Sequence, residues 1–209
     1  MTVSVKDVSK RFNDQVVLSH VNLACNPGEI CGIVGYNGSG KTVLFKTICG
    51  FFHPDSGEIL VDGKCVNGTI LTDAGIVIDG SAFLENLSGI QNLELLWTLR
   101  HKKDRAHLEE TMRKVGLDPK LKKKVGKYSM GMKQRLAIAQ AIMEDQPILI
   151  LDEAFNGLDK TGLSEMRSLI QSLKTAGRTI LLASHNKDDI DLLCDQVYEM
   201  EAGVLTKVK

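Results

Sequence analysis

The segment 35–42 constrains the fold more than any other part of the chain. Its sequence, Gly-Tyr-Asn-Gly-Ser-Gly-Lys-Thr, matches the pattern G-x-x-x-x-G-K-[ST] at all four fixed positions. An apolar run at 29–34 precedes it and a helical pattern at 41–50 follows it. Glycines let backbone N–H groups turn inward around phosphate oxygens, and the next helix directs its positive end at them. This order predicts an α/β fold that binds a nucleotide; the alternative is an ordinary glycine-rich turn before a helix.

The same segment supplies the first candidate ligands. Lys41 is expected to reach the β- and γ-phosphates, and Thr42 to offer its hydroxyl to Mg²⁺. The remaining phosphate ligands are expected to come from Asn37, Gly38, Ser39 and Gly40.

Two further polar groups follow apolar runs of the kind that form buried parallel strands. Asp152 ends the run 148–151, where ligand sites in parallel sheets lie, and is the predicted carboxylate ligand of Mg²⁺. Glu153, next to it, is the candidate general base for water that attacks the γ-phosphate. His185 follows the run 179–183 and is a candidate to hold the γ-phosphate and that water. Without the phosphate loop, an ordinary loop start and a structural histidine would be the simpler interpretations.

The rest of the chain alternates short apolar runs with helical patterns. Strands are predicted at 2–8, 16–24, 58–61, 75–78, 147–151, 178–183, 196–200 and 204–207. Helical patterns lie at 90–115, with a break near 102–104, and at 130–143, 162–175 and 186–193. The tight turn Asp62-Gly63 indicates an antiparallel region. Because strand and helix alternate at both ends of the chain, we expect an α/β core with an antiparallel β-subdomain and a helical subdomain inserted at about 85–145.

Composition excludes several classes of protein. The 26 basic and 26 acidic side chains leave no net charge, so nothing global favours nucleic acid as a partner. No apolar run approaches the roughly 18 residues that span a bilayer, and the charged N-terminus is unlike a signal peptide. The five cysteines are scattered and form no C-x-x-C pair, which argues against a disulfide framework and a structural zinc site and favours a reducing cytosol.

Residues 128–135, Tyr-Ser-Met-Gly-Met-Lys-Gln-Arg, lie between the phosphate loop and Asp152. They resemble the Leu-Ser-Gly-Gly-Gln signature of the ATP-binding subunits of ABC transporters. The order of motifs is also similar to that family: phosphate loop, helical insert, signature, Asp152-Glu153, the D-loop at 156–159, and Ser184-His185 as the switch histidine. The resemblance covers essentially the whole chain and implies a single ABC ATPase domain at 1–209, with a P-loop NTPase sheet core.

The resemblance implies a site that one chain does not complete. Two subunits, a homodimer or a pair of different ATPase subunits, would face each other head to tail. ATP would lie between the phosphate loop of one subunit and Ser129 and Gly131 of the other. Asp159 would couple the two sites. Phe12 would stack on adenine, although a phenylalanine in the core of the β-subdomain is the alternative.

Two departures from the family pattern stand out. Met130 and Met132 occupy signature positions where Gly and Gln are usual, a variation similar to that of antibiotic- and bacitracin-type export ATPases. Asp79 occupies the place of the usual glutamine after the strand at 75–78. A carboxylate there can still approach Mg²⁺, but it adds negative charge near the phosphates and cannot donate a hydrogen bond as glutamine does.

The family implies an ATPase that drives a separate transmembrane permease subunit. The chain is then expected in the cytoplasm, held on the inner face of the cell membrane by that permease. The permease contact is expected near 79–92, at Phe83, Leu84 and Leu87, unless these are core residues. An ABC-type ATPase acting on nucleic acid or ribosomes has the lysine-rich run 120–127 as its only support, and another phosphate-loop transferase leaves the signature unexplained.

Overall fold

A computed structural model describes residues 1–80 and 82–209. Within these residues the chain forms ten β-strands, six α-helices and one 3-10 turn. In chain order they are β1 (Val3–Phe12), β2 (Gln15–Cys25), β3 (Ile30–Val34), α1 (Lys41–Ile48), β4 (Ser56–Val61), β5 (Lys64–Cys65), β6 (Ala74–Val77), α2 (Gly89–Trp97), α3 (Arg105–Lys114), the turn Val125–Lys127, α4 (Met130–Ile142), β7 (Ile148–Asp152), α5 (Lys160–Thr175), β8 (Thr179–Ala183), α6 (Lys187–Leu193), β9 (Gln196–Glu201) and β10 (Val204–Lys207).

The central sheet has six strands in the order β10-β9-β3-β8-β7-β6, parallel except for β10. Every residue of β7 and β8 is buried. Leu149 and Leu151 pack into one core, and Ile148 and Ile150 pack into a second core on the opposite face. This two-sided burial explains why the strands are continuous apolar runs. The carboxyl ends of β3, β7 and β8 therefore meet at one edge of the sheet, where the phosphate loop, Asp152-Glu153 and Ser184-His185 follow them.

A second sheet is antiparallel, in the order β2-β1-β4-β5. The first strand is longer than the sequence predicts, because it continues through shifts of register to Phe12, with Asp7 in a left-handed conformation at φ 52°. Irregular pairing interrupts the alternation of apolar and polar residues, so periodicity alone ends the strand too early. The extension places Phe12 at the end of the β1–β2 hairpin.

Helices α2, α3 and α4 pack around Leu108, Met112 and Leu136, which are buried completely or almost completely. The helical pattern at 90–115 forms two helices, and the predicted break near 102–104 lies between them. Ser88 and Gln91 form a capping box at the start of α2, and the Asp104 side chain caps α3. The lysine-rich run after α3 is anchored at its end. Val125 is fully buried there, and the backbone of Lys124 pairs with that of Ser88 in an isolated antiparallel β-bridge.

Within the described residues, every helix falls short of the length and apolar character that a bilayer crossing requires.

Candidate functional site

The phosphate loop joins β3 to α1 at the edge of the central sheet. Gly38 and Gly40 have φ values of 82° and 116°, a region that favours glycine. A β-carbon at Gly40 would also lie 2.9 Å from the Val17 carbonyl oxygen. The Lys41 ammonium is almost buried and donates to the carbonyl oxygens of Gly35 and Tyr36, at 2.7 and 3.1 Å. The loop therefore curls around the position of its own lysine.

The other loop residues line the same region. Asn37, Gly38 and Gly40 border a cavity together with Lys41 and Thr42. Ser39 is buried, and its hydroxyl oxygen has no hydrogen-bond partner within the described part of the chain. The start of a helix beside the Lys41 ammonium and the Ser39 hydroxyl suits a phosphate anion.

Thr42 and Asp152 meet across this cavity, and the Thr42 hydroxyl donates to Asp152 Oδ2 at 2.6 Å. The other oxygen, Asp152 Oδ1, is buried and has no partner among the described residues. Burial raises the pKa of Asp152, and the neighbouring Glu153 charge raises it further against the effect of the Thr42 hydrogen bond. A hydroxyl and an unpaired carboxylate oxygen form the hard oxygen donor set that Mg²⁺ prefers, so the residues present fit the ion.

Glu153 and His185 contact each other at the ends of neighbouring strands. His185 Nδ1 lies 2.7 Å from Glu153 Oε2. Glu153 takes a left-handed conformation at φ 51°, and its N–H donates to the Ala183 carbonyl at 3.0 Å. The backbone therefore turns out of β7 just as the side chain reaches the cavity that Lys41 lines. The two residues are positioned to act together on a proton.

Asp79 follows β6 and forms an ion pair with Lys46 of α1. From the sequence, Asp79 is expected to add negative charge near the phosphates, and in the structure the Lys46 ammonium pairs with that charge. The sequence does not single out Lys46 as this partner. Its only sequence signal is its place on the helix that follows the phosphate loop, five residues beyond Lys41.

Phe12 is 38% exposed and meets Phe52 edge to face, with ring centroids 5.1 Å apart. Lys10 Nζ lies 5.4 Å from the centroid of the Phe12 ring. The Phe12 ring is therefore not enclosed in the core, and its exposed part is accessible to a ligand. Phe52 supports it from a different loop, and no sequence pattern indicates that contact.

Ser129, Gly131 and Asp159 line a second cavity. Ser129 caps α4 by accepting from the Met132 N–H at 3.2 Å, and Asp159 caps α5 by accepting from the Gly162 N–H at 2.9 Å. The start of each helix is thus next to the cavity, with N–H groups suited to an anion.

The unusual Met130 has a structural explanation. A β-carbon at Gly157 of the D-loop would lie 2.7 Å from Met130 Cγ, so the methionine packs directly on that glycine. The Met130 side chain remains 64% exposed. It covers Gly157 of the D-loop in its own chain, and Ser129 remains exposed.

The two groups of candidate residues line separate cavities with no residue in common. Asn37, Lys41, Thr42, Asp152 and Glu153 border the first; Ser129, Gly131 and Asp159 border the second. The structure therefore brings together the residues predicted to hold the phosphates and metal, and it does not bring the signature residues to them within one chain.

A cluster outside these cavities consists of Cys25, Glu29 and Cys31, whose ligand atoms lie within 4.8 Å of one another. The Cys25 thiol donates to the Ile180 carbonyl and the Cys31 thiol to the Ala24 carbonyl, each at 3.5 Å. The hydrogen bond with Cys25 and burial both raise the pKa of Cys31. The Cys31 thiol is therefore held protonated, and all five cysteines are free.

The comparisons with known proteins decide the family. The family model for ABC transporters matches residues 18–156. The bacitracin transport ATP-binding protein BcrA of Enterococcus faecalis is 34% identical over 209 residues, covering 98% of this chain and 68% of that protein. The lantibiotic transport ATP-binding protein SrtF of Streptococcus pyogenes is 32% identical over 193 residues, covering 92% and 84%.

The chain belongs to the ABC transporter family. This ABC ATPase binds and hydrolyses ATP. Its similarity to a bacitracin transport ATP-binding protein confirms the resemblance inferred from the signature variant.

Solved structures confirm the predicted fold class. An ATP-binding subunit of an ABC transporter has a TM-score of 0.88 at 25% identity, with 100% of this chain and 90% of that chain covered. MJ0796, a bacterial ABC transporter cassette solved as a dimer, has a TM-score of 0.89 at 22% identity, with 99% of both chains covered. The ABC ATPase thus has the expected combination of a mainly parallel core sheet, an antiparallel sheet and helices.

Proposed function

We propose that two copies of this ABC ATPase, or one copy and a paired ATPase subunit, bind MgATP head to tail and drive a separate transmembrane permease in the direction of export. The observation that carries the proposal is the division of the candidate residues between two cavities. Among the described residues, the cavity at the phosphate loop is lined by no signature residue, and the cavity at Ser129 is lined by no residue of the phosphate loop. Head-to-tail pairing joins each half to the complementary half of the partner.

The phosphate side of each composite site holds and orients the triphosphate. The Lys41 ammonium exchanges its two backbone carbonyl partners for phosphate oxygens, and the N–H groups of the loop bind the others. Thr42 and Asp152 Oδ1 would hold Mg²⁺. When bound, the ion neutralises phosphate charge.

The hydrolytic step belongs to the pair at the strand ends. Glu153 accepts the proton of the water that attacks the γ-phosphate, and His185 holds the Glu153 carboxylate at 2.7 Å. The hydroxyl of Ser129 and the N–H of Gly131 supply hydrogen-bond donors to the γ-phosphate from the partner. Closure of the pair then depends on the γ-phosphate, and its loss by hydrolysis releases the two chains.

The permease would contact the segment between β6 and α2. Leu84 is 49% exposed there, while Phe83 and Leu87 are half-buried, so Leu84 is the main apolar group on offer. The relatives named for bacitracin and lantibiotic transport favour a transported molecule of that kind. Binding to such a permease would hold the chain at the inner face of the cell membrane, and no nucleic acid takes part.

Complementation between two inactive variants tests the composite site. Lys41→Ala removes the phosphate side, and Ser129→Glu places a like charge on the signature side. In a mixture, each mixed pair contains one fully intact site, so we expect about a quarter of the wild-type ATPase rate from an equimolar mixture if the sites act independently. The measurement is phosphate release after the two proteins have been mixed.

The control is a chain that carries both substitutions, mixed with the wild type. Its mixed pairs contain no intact site, so their contribution to the rate should be negligible. Activity of the first mixture no higher than the sum of the two variants would refute head-to-tail pairing. Stimulation of the rate by DNA or RNA, in place of a co-purified membrane protein, would overturn the proposed transport role.

A further inference from the structure

Asp189, on α6, is a buried carboxylate outside both cavities. It is only 1% exposed, and both of its oxygens have partners. Arg167 donates to Oδ1 through Nε at 2.8 Å and through Nη2 at 2.6 Å. The Ser184 hydroxyl donates to Oδ2 at 2.8 Å. Because an unpaired charge is very costly in a protein interior, the positions of these three side chains depend on one another.

Ser184 directly precedes His185, and its hydroxyl has a second task. The oxygen that donates to Asp189 also accepts from the Asn186 N–H at 3.1 Å. The residues on both sides of His185 are thus tied to one buried hydroxyl group. The imidazole itself is 65% exposed, and Glu153 is its single polar partner among the described residues. Its direction is therefore set mainly by the backbone that Ser184 holds.

Arg167 connects this backbone to a different helix. It lies on α5, eight residues beyond Asp159, whose side chain caps the start of the helix next to the signature cavity. Eight residues of α-helix span about 12 Å at 1.5 Å per residue. One rigid element therefore joins the D-loop to the buried carboxylate behind His185.

We infer that Arg167 and Asp189 are positioning residues for ATP hydrolysis, which hold the Ser184-His185 backbone at a place set by α5. The inference rests on the proposed role of His185 at Glu153. When the partner chain contacts the D-loop and α5 shifts, the Arg167–Asp189 pair carries the shift to the imidazole. Neither residue lines the phosphate cavity or the signature cavity.

The first test is Asp189→Asn, which preserves the shape of the side chain and removes its charge. A small displacement of a catalytic group costs up to about 100-fold in rate, so we expect kcat to fall by about 10- to 100-fold. The KM for ATP should stay within about twofold, because the phosphate ligands are untouched. Arg167→Lys keeps the charge but loses the two-point contact, and it should lower kcat in the same way. It replaces the first variant in the test if Asp189→Asn does not fold.

The matched control is Asp195→Asn. Asp195 accepts a hydrogen bond from Lys174, another residue of α5, at 2.5 Å, and it also binds the Ile30 N–H. This variant breaks a second ion pair of the same helix without touching Ser184. Its kcat should match the wild type after correction for folded protein. A fall equal to that of Asp189→Asn would show that general loosening of α5 explains both, and would overturn the inference.

The decisive measurement places Asp189→Asn in a His185→Ala background. If Asp189 acts through the imidazole, the second substitution has no further effect on kcat. If Asp189→Asn lowers the kcat of His185→Ala by the same factor as it lowers that of the wild type, the inference is wrong. If the single variant His185→Ala has the kcat of the wild type, both the role of His185 and this inference are wrong. Normal kcat in Asp189→Asn beside an impaired His185→Ala overturns this inference alone.

A direct readout is the nuclear magnetic resonance spectrum of the histidine rings without nucleotide. The chain has five histidines, so the His185 signal can be assigned with His185→Ala. Asp189→Asn should move that signal and leave those of His20, His53, His101 and His107 in place. An unmoved His185 signal would contradict a positioning role.

Discussion

Replacement of Glu153 by glutamine isolates the proton-accepting step of ATP hydrolysis. The amide has the shape of the carboxylate, and the left-handed backbone and the Glu153 N–H bond to Ala183 do not depend on the side-chain charge. The contact with His185 Nδ1 can also persist, with the ring nitrogen donating to the amide oxygen. General base catalysis contributes about 10²- to 10⁴-fold, or about 2.7 to 5.4 kcal/mol at 1.36 kcal/mol per tenfold change, and we expect kcat to fall by that factor.

ATP binding should survive the same change. Glu153 borders the phosphate cavity together with Asp152, so loss of its charge removes repulsion from the triphosphate. The assay combines phosphate release at saturating ATP with calorimetric ATP binding. Glu201→Gln makes the same chemical change on the exposed surface of β9 and should leave both quantities unchanged. A kcat within about threefold of the wild type would refute the assignment, because the smallest expected effect is about 100-fold.

Three further predictions concern the phosphate loop, the Asp79 loop and the helical core. Lys41→Ala removes a buried ammonium whose charged hydrogen bonds are worth about 1.5–3 kcal/mol each, so calorimetry should show ATP affinity at least about tenfold weaker, whereas the exposed Lys64→Ala should bind normally. Asp79→Gln breaks a partly exposed pair with Lys46 worth about 0–1 kcal/mol, so its melting temperature should hardly move, while stimulation by the permease should change more than basal turnover; equal changes would count against coupling. Leu136→Ala should lower the free energy of unfolding, measured in urea, by about 2–5 kcal/mol because the side chain is fully buried. Leu99 is 75% exposed, so Leu99→Ala should lower the same free energy by less than about 0.5 kcal/mol.

The parts of the site that the sequence predicts depend on short stretches of chain. The phosphate loop, the acid pair 152–153 and the switch histidine each follow an apolar strand. Parallel strands bring their carboxyl ends to one edge of a sheet, so local patterns suffice to place these residues together. Local patterns also predict the strands of the central sheet and the start of α4 at Met130, whereas α5 begins at Lys160, two residues before the predicted start at 162.

The parts that the sequence does not predict depend on contacts between distant residues. Lys46 and Asp79 are 33 positions apart, and Phe12 and Phe52 are 40 apart. No periodicity or motif links such positions, because their proximity follows from how the two sheets and α1 pack. The early end assigned to β1 has a local cause, since shifts of register break the alternation on which the prediction depends.

The two departures from the family pattern also show that local sequence reveals an unusual residue but not its distant contacts. In the sequence, Met130 places a side chain where the family usually has glycine, and Asp79 places a negative charge where it usually has glutamine. In the structure, each has a partner supplied by another segment: Gly157 makes room for the methionine, and Lys46 neutralises the carboxylate. Glycine without a side chain and lysine with a long one are the residue types that such partners require. An unusual residue at a motif position is therefore better judged together with the residue that contacts it. Substitution of Gly157 should make Met130 destabilising, and substitution of Lys46 should leave the Asp79 charge without its partner.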